Sequence, residues 1–394
     1  MSRIFDFAFK IINPESLGNI AEEVKDCAQQ LGSVYSRLNS KAIIVRANWF
    51  YRKTTNSTCA QFQNVIFDAM ELEGVGHIPF TIVSEKPVGE ASVQLVICLI
   101  TNFSGQVVAK GINLVDRVYC QVKYLNQKWL FTGGAGCSEE KLSTRNSAHQ
   151  AFREIKAILE NENYSFQNLV RQWNYVPEIT IKETDNKGMP FQNYQEFNDV
   201  RAAWYLKEGL DKDFPASTGI GVYSRGVNIE VIALDPGSDL HIKSLHNPEQ
   251  SDAHQYSSSK LVGEKAVEAP RFERGKMVFD DGNGHIWVSG TASILGENSV
   301  DGDIQEQTSV TLNNIDRLLK PENLIHNGLP WQSISVNALY IRAYVKHRQD
   351  GEWVESRLKE KYPGAVRHVL EADICRPELL IEIEGEFSIS QLAN

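Results

Sequence analysis

The sequence predicts an α+β protein with two similar units in tandem, each a mixed sheet with helices packed on one face. Three observations carry this expectation. The stretch LLIEIEGEF alternates apolar and acidic residues, the period of a half-buried strand. It therefore sets Glu382, Glu384 and Glu386 on one face and the isoleucines on the other. The order strand, helix, strand, helix, strand, strand runs from about residue 127 to residue 235. The same order then recurs at an offset of 157 residues, from Gly133 to Gly290, which is the length of a domain and not of a solenoid repeat.

Taken in order, residues 1–40 read as a strand followed by an amphipathic helix, ESLGNIAEEVKDCAQQL. KAIIVRANWFY, HIPFTIVS and SVQLVICLI follow as strands between polar, turn-rich stretches. This first hundred carries no motif with recognisable chemistry and reads as scaffold. DRVYCQVKYL leads into KWLFTGGAG, a strand ending in a turn of small residues. SAHQAFREIKAILENE has helical spacing, with Ala151, Ile155, Ile158 and Leu159 on one stripe. NLVRQWNYVPEI is the next strand, closed by Pro177. A second helix, NYQEFNDVRAAWYLKEGL, steps through Tyr194, Phe197, Arg201 and Tyr205. FPASTGIG and GVNIEVIALDP complete the unit.

Its counterparts are HIWVSGTAS, DIQEQTSVTLNNIDRLL, ISVNALYIRAYVKH, WVESRLKEKYPG and LLIEIEGEF. Between the units lies HNPEQSDAHQYSSSKLVGEKAVEAPRFERG, polar enough to run over the surface or to cover a site. The expected divisions are residues 1–185, 186–260 and 261–394.

Composition narrows the function classes. A chain of 394 residues that is 42% apolar and 23% charged is an ordinary globular protein with a substantial core. The net charge of −10 opposes a nucleic-acid partner, which needs a basic footprint. An anionic small molecule remains compatible if arginines are focused locally. Cys27, Cys59, Cys98, Cys120, Cys137 and Cys375 show no CxxC spacing, and the histidines form no HxxxH or HExxH pattern. With no GK(S/T) or GxGxxG loop either, neither a metal nor a nucleotide cofactor is expected. MSRIFDFAFKII has an Asp inside its apolar run and does not read as a signal peptide, and no run is long enough for a membrane span. The cytoplasm is the expected location.

Three carboxylates on one strand face must be solvated, paired or used. Read alone, LLIEIEGEF also fits a solvent-facing edge strand with acidic gatekeepers. The repeat supplies context. SG(T/Q), a Gln-bearing helix, a strand ending in K/R, a helix, (F/Y)P and IEIE together resemble the Rid (YjgF) superfamily of small trimeric imine deaminases. That resemblance implies an arginine after the FP turn and the first Glu of the EIE strand as the residues that bracket substrate. Arg367 after YPG and Glu382 match. The first unit departs, with Ser217 and Thr218 at the arginine's place, although Glu230 remains.

SGTASI, FPASTGIG, NYQEFNDVR, HNPEQ, FERG and DICRPELLIEIEG, in this order over about residues 125–390, resemble the chorismatases. These are two-domain enzymes that remove the enolpyruvyl side chain of chorismate. The resemblance implies Glu382 as proton donor. Gly290 in the SGTAS turn and Cys375 before RPELL match the branch that forms 3-hydroxybenzoate. Chorismate is a dianion, so forked donors are expected on its carboxylates. The candidates are Arg367, Arg274, Arg201 and Arg342, each of which also fits a salt bridge. Thr218 and Gly219 offer a hydroxyl and a bare amide, or a plain tight turn. Tyr205 reaches a ring substrate or packs on its helix face.

The expected function is therefore a chorismatase giving pyruvate and 3-hydroxybenzoate. The alternatives are a chorismate hydrolase giving a dihydroxycyclohexadiene carboxylate, a Rid-like deaminase, and a non-catalytic ligand binder. The expected partner is the small anionic substrate, with no nucleic acid or membrane. The expected assembly is a monomer or homotrimer.

Overall fold

The computed structural model describes residues 4–38, 41–52, 59–102, 107–114, 117–136, 142–184, 190–262 and 268–392. The 185/186 division and residues 263–267 of the polar insertion lie outside them. The second unit comprises β6 (Val107–Leu114), β7 (Arg117–Tyr124), β8 (Gln127–Thr132), α3 (Thr144–Asn161) and β9 (Leu169–Pro177). It continues through a small hairpin, β10 (Lys182–Thr184) and β11 (Pro190–Gln192), to α4 (Asn193–Lys207), β12 (Ala216–Val222) and β13 (Asn228–Asp235). Its sheet order is β12-β9-β13-β8-β7-β6.

The third unit starts with β14 (His241–Leu245), β15 (Gly275–Phe279) and β16 (Asn283–Ala292). A ribbon, β17 (Ile294–Leu295) and β18 (Asn298–Ser299), leads to α5 (Ile304–Leu319) and α6 (Pro321–His326). β19 (Ile334–Val345), α7 (Gly351–Lys361), β20 (Val366–Glu371) and β21 (Ile381–Gln391) follow. Read as β20-β19-β21-β16-β15-β14, its sheet repeats the second unit strand for strand. The expected pair of units is present. A division after residue 185 would split β9 from β12, which pair in parallel within one sheet.

The first hundred residues form a further unit of the same kind: β1 (Asp6–Ile12), α1 (Ile20–Ser36), β2 (Ala42–Tyr51), α2 (Cys59–Leu72), β3 (Phe80–Val83), the short β4 (Lys86–Pro87) and β5 (Val93–Thr101). Their order, β3-β2-β5-β1, is that of the other sheets without the two leading strands. The parallel pair β2–β3 matches β9–β12 and β19–β20. β4 joins the units by pairing with β20.

Local sequence supports each element. α1 and α5 open on capping boxes, Asn19 with Glu22 and Asp303 with Glu306, which satisfy the first free amides. Each unit packs its helices on one face of its own sheet, giving three outer apolar cores. The opposite faces meet in one central cluster that includes Val45 and Phe50, Trp173 and Ala216, and Trp287 and Tyr344. Each such buried side chain contributes about 1.5–3 kcal/mol by leaving water.

Within this core the three units place an arginine at one common register. Arg46 on β2 lies opposite Cys98, Arg171 on β9 opposite Ile232, and Arg342 on β19 opposite Glu384. All three are at least 98% buried. Burying a guanidinium requires counter-charges. Arg46 pairs with Glu230 at 3.2 Å and Glu386 at 2.8 Å, and Arg171 and Arg342 both pair with Glu384, at 2.6 and 3.1 Å. The Trp173 ring lies between the Arg46 and Arg171 guanidiniums, at 4.3 and 4.4 Å. The edge-strand reading is thereby overturned. β21 is an interior strand between β16 and β19, and its three glutamates are buried.

Candidate active site

A cavity of about 700 Å³ opens where the second and third units meet. β21 delivers Glu382, β16 delivers Gly290, and the loop before β21 delivers Cys375. From the second unit come Ser217 and Gly219 of β12 and Tyr194 and Asn198 of α4. The polar insertion contributes Tyr256, Lys260, Phe272 and Arg274, so it does cover a site. Of the charged residues on the wall, Lys182, Lys260, Arg274 and Arg376 are cationic and Asp301, Glu378 and Glu382 are carboxyls. In a chain of net charge −10 this is a local focus of positive charge.

Glu382 is 3% exposed. Burial, and after it the neighbouring Glu384 charge, push its carboxyl up to about 8, so it holds a proton at neutral pH. Glu384 accepts from Arg171, Arg342, Trp173 and Thr218, the surroundings of a carboxylate. Two carboxyls two residues apart on one strand are thus driven to different roles. The thiol of Cys375 lies 3.9 Å from Glu382 Oε2. Burial, followed by Glu382, pushes that thiol up to about 12, so it is a neutral S–H.

A side chain at Gly290 would drive its Cβ into Glu382 Oε1, so the glycine makes room for the acid itself. The Gly290 amide donates to Thr218 Oγ1 at 3.0 Å, and that hydroxyl donates on to Glu384. Thr218 therefore supports the carboxylate from behind, while Gly219 faces the cavity and lets the Tyr194 ring approach within 3.0 Å of where its Cβ would stand.

The expected arginines divide. Arg274 lines the cavity, held by the Ser251 carbonyl and the Tyr256 hydroxyl at 2.8 Å. Arg201 lies one layer back, donating to Asn198 at 2.7 Å and Ser217 at 3.3 Å, both on the wall. Arg342 is not on the wall, being committed to Glu384 and to the hydroxyls of Tyr340, Tyr344 and Tyr175.

Arg367 corrects the expectation. It pairs with Glu355 and donates to the carbonyls of Tyr362 and Ala365, away from the cavity. The reason is topological: the strand after the FP turn of one unit faces the acidic strand of the next. Opposite Glu382 stands β12 of the second unit, with Ser217 and Thr218, while β20 turns towards the first unit. Tyr205 is a second correction. Its hydroxyl donates to Gln172 at 2.8 Å and its ring packs among Phe152, Phe166 and Phe214 in the outer core.

Arg171, Tyr256 and Arg376 were missed from sequence. Arg171 had a legible signal, since it occupies Arg342's place in the repeat; the other two lie in irregular loops. His246, Asp252 and Glu273 bring ligand-type atoms within 4.8 Å of one another, but His246 and Asp252 already pair with each other at 2.9 Å.

This arrangement is a cavity with a local excess of positive charge and a buried, protonated carboxyl on its wall, set between two repeats of one α+β unit. Comparison with known proteins agrees. Residues 118–233 match the family described as chorismatase FkbO/Hyg5-like, N-terminal. The chain is 33% identical to a 3-hydroxybenzoate synthase of Streptomyces hygroscopicus over 57% of this chain and 64% of that protein. It is also 33% identical to a chorismatase of Streptomyces rapamycinicus over 56% of this chain and 64% of that one. The match thus spans a little under two thirds of these relatives' length. The crystal structure of a chorismatase shares the fold, with a TM-score of 0.70 and 21% identity over 97% of this chain and 98% of the other. The chain is thus similar in sequence to chorismatases over a little more than half its length, and it shares the fold of one over nearly all of it.

Proposed function

We propose that the protein removes the enolpyruvyl side chain of chorismate as pyruvate and leaves 3-hydroxybenzoate. The observation that carries the reading is the protonated, buried Glu382 beside Glu384 and its two guanidinium partners, in a cavity with Arg274 and Arg376 on its wall. An enol ether is cleaved by protonating its methylene carbon, which makes an oxocarbenium ion, and that step needs an acid still protonated near neutral pH. Glu382 supplies that proton, and the adjacent Glu384 charge favours the cation that forms. As the 4-hydroxyl passes its proton to the Glu382 carboxylate just formed, its oxygen bonds to the ring carbon bearing the side chain. That carbon's C–O bond to the side chain breaks to release pyruvate, and the bridge oxygen takes a proton back from Glu382 when it opens. Opening of the strained oxygen bridge and loss of the ring C–H proton give the aromatic phenol. The proton released by the ring balances the one given, so no water is consumed. In this reading Cys375, 3.9 Å from Glu382, returns it.

Arg274 and Arg376 are assigned to the substrate carboxylates. Incubation of the purified protein with chorismate, followed by pyruvate detection and chromatography, tests this. Pyruvate and 3-hydroxybenzoate in equal amounts are expected. Absence of pyruvate overturns the reading, and pyruvate with a diene diol replaces the product assignment with hydrolysis. Because three units already close around one core, the same proposal includes a monomeric enzyme.

A further inference from the structure

Among the described residues of the core runs a polar chain that the reaction does not use directly. Arg342 Nε donates to the Tyr340 hydroxyl at 2.8 Å, and that hydroxyl lies 3.3 Å from His368 Nδ1. His368 Nε2 lies 3.0 Å from Gln94 Oε1, and Gln94 Nε2 donates to Asn13 Oδ1 at 2.7 Å. The directions are determined by chemistry. Gln94 Oε1 only accepts, so His368 carries its proton on Nε2, and Nδ1 accepts from Tyr340. Every donor therefore points the same way, from Arg342 outward to Asn13 at the surface of the first unit. Burial, and after it Arg342, hold His368 well below its usual range, in the neutral form this direction requires. Aligned bonds of this kind polarise one another, making the Tyr340 oxygen a stronger acceptor for Arg342.

We infer that Tyr340 and His368 are positioning residues: through Arg342 and Glu384, the line from Asn13 sets the charge balance around the reacting carboxyl of Glu382. This gives the first unit a part in catalysis at the junction opposite the cavity, and it rests on the function proposed above. The groups facing Glu382 are Glu384 on its own strand, Arg171 from β9, Arg274 and Cys375 from loops, Tyr194 from α4 and Glu85 from the first unit. Arg342 acts one step behind them, on Glu384 Oε1 at 3.1 Å. Slackening Arg342 lowers the positive potential around Glu382 and Glu384, and proton loss from Glu382 then moves to higher pH.

The test compares wild type with Tyr340→Phe, His368→Leu, His368→Gln and Gln94→Leu. It measures kcat for pyruvate release against pH and, without substrate, the infrared carboxyl band that disappears in Glu382→Gln. Tyr340→Phe and His368→Leu are expected to move the alkaline limb and the band's midpoint up by about half a pH unit or more. Gln94→Leu should give a smaller move, and His368→Gln, which keeps an acceptor for Tyr340, should return towards wild type. A fall in kcat or melting temperature with both midpoints unchanged overturns the inference, leaving the line a structural one. Should Tyr340→Phe fail to fold, the Gln94→Leu and His368→Gln midpoints still decide. If wild type shows the titrating band but releases no pyruvate from chorismate, the proposed function fails while this inference is judged on the band alone.

Discussion

Glu382 and Glu384 differ because of what reaches each, not because of where they sit on the strand. Glu384 collects two guanidiniums, two hydroxyls and an indole N–H. Glu382 has a neutral thiol 3.9 Å away and the Glu384 charge beside it. Glu382→Gln is close in shape but carries no acidic proton. It should therefore lower kcat by about 10²–10⁴-fold with KM little changed, as read from initial rates of pyruvate release. Because the protonated form is the active one, wild-type activity should persist below about pH 8 and fall above it. Gly290→Ala tests the neighbouring contact. The new methyl would displace the Glu382 carboxyl and press on the Thr218 methyl 3.2 Å away, so turnover should fall. Cys375→Val keeps volume but removes the S–H. The share of 3-hydroxybenzoate should drop in favour of the diene diol while pyruvate release continues, and an unchanged product ratio on chromatography would remove Cys375 from the route.

At the scale of elements, β21 places an acid where it costs folding energy. A carboxyl raised from 4.5 to about 8 on folding favours the native state fully only below its unfolded value. That contribution is lost as pH rises towards the folded value, so wild-type stability should decline between about pH 4.5 and 8. Glu382→Gln should abolish this part of the slope in urea melts taken across that window. The strand and its neighbours were largely legible beforehand. The IEIE alternation, the SGTAS turn and the cysteine before RPELL led to Glu382, Gly290 and Cys375, which the cavity brings together. Arg367 was misassigned because sequence offset links residues within a unit, whereas the facing strand comes from the unit before. Tyr205 was indistinguishable from Tyr194 on one helix until packing put Tyr205 in the core and Tyr194 on the cavity wall.

At the scale of the molecule, three copies of one unit surround a core whose polar centre is Arg46, Arg171 and Arg342. The first copy was not legible because it retains the arginine but not the acid. Val96 stands two residues before Arg46's partner Cys98, where Glu230 and Glu382 stand in the others. At the junction of the first and second units Glu230 is sealed by Asn48 at 2.5 Å and by Arg46. Arg46→Leu would strand Glu230 and Glu386, the latter held down at about 2, against burial, by Arg46 and His285. It should cost about 3–5 kcal/mol of unfolding free energy in a urea titration. With the three-part core complete inside one chain, light scattering should give the mass of a monomer, 44.4 kDa.

Proton donation by Glu382 to the side chain of chorismate is read most directly from pyruvate release by wild type and Glu382→Gln at matched folded concentration. Rapid release with 3-hydroxybenzoate as co-product is expected for wild type, and a loss of at least about 10²-fold for the variant. No release by wild type, or retention of more than about a tenth of its rate by the variant, would contradict it.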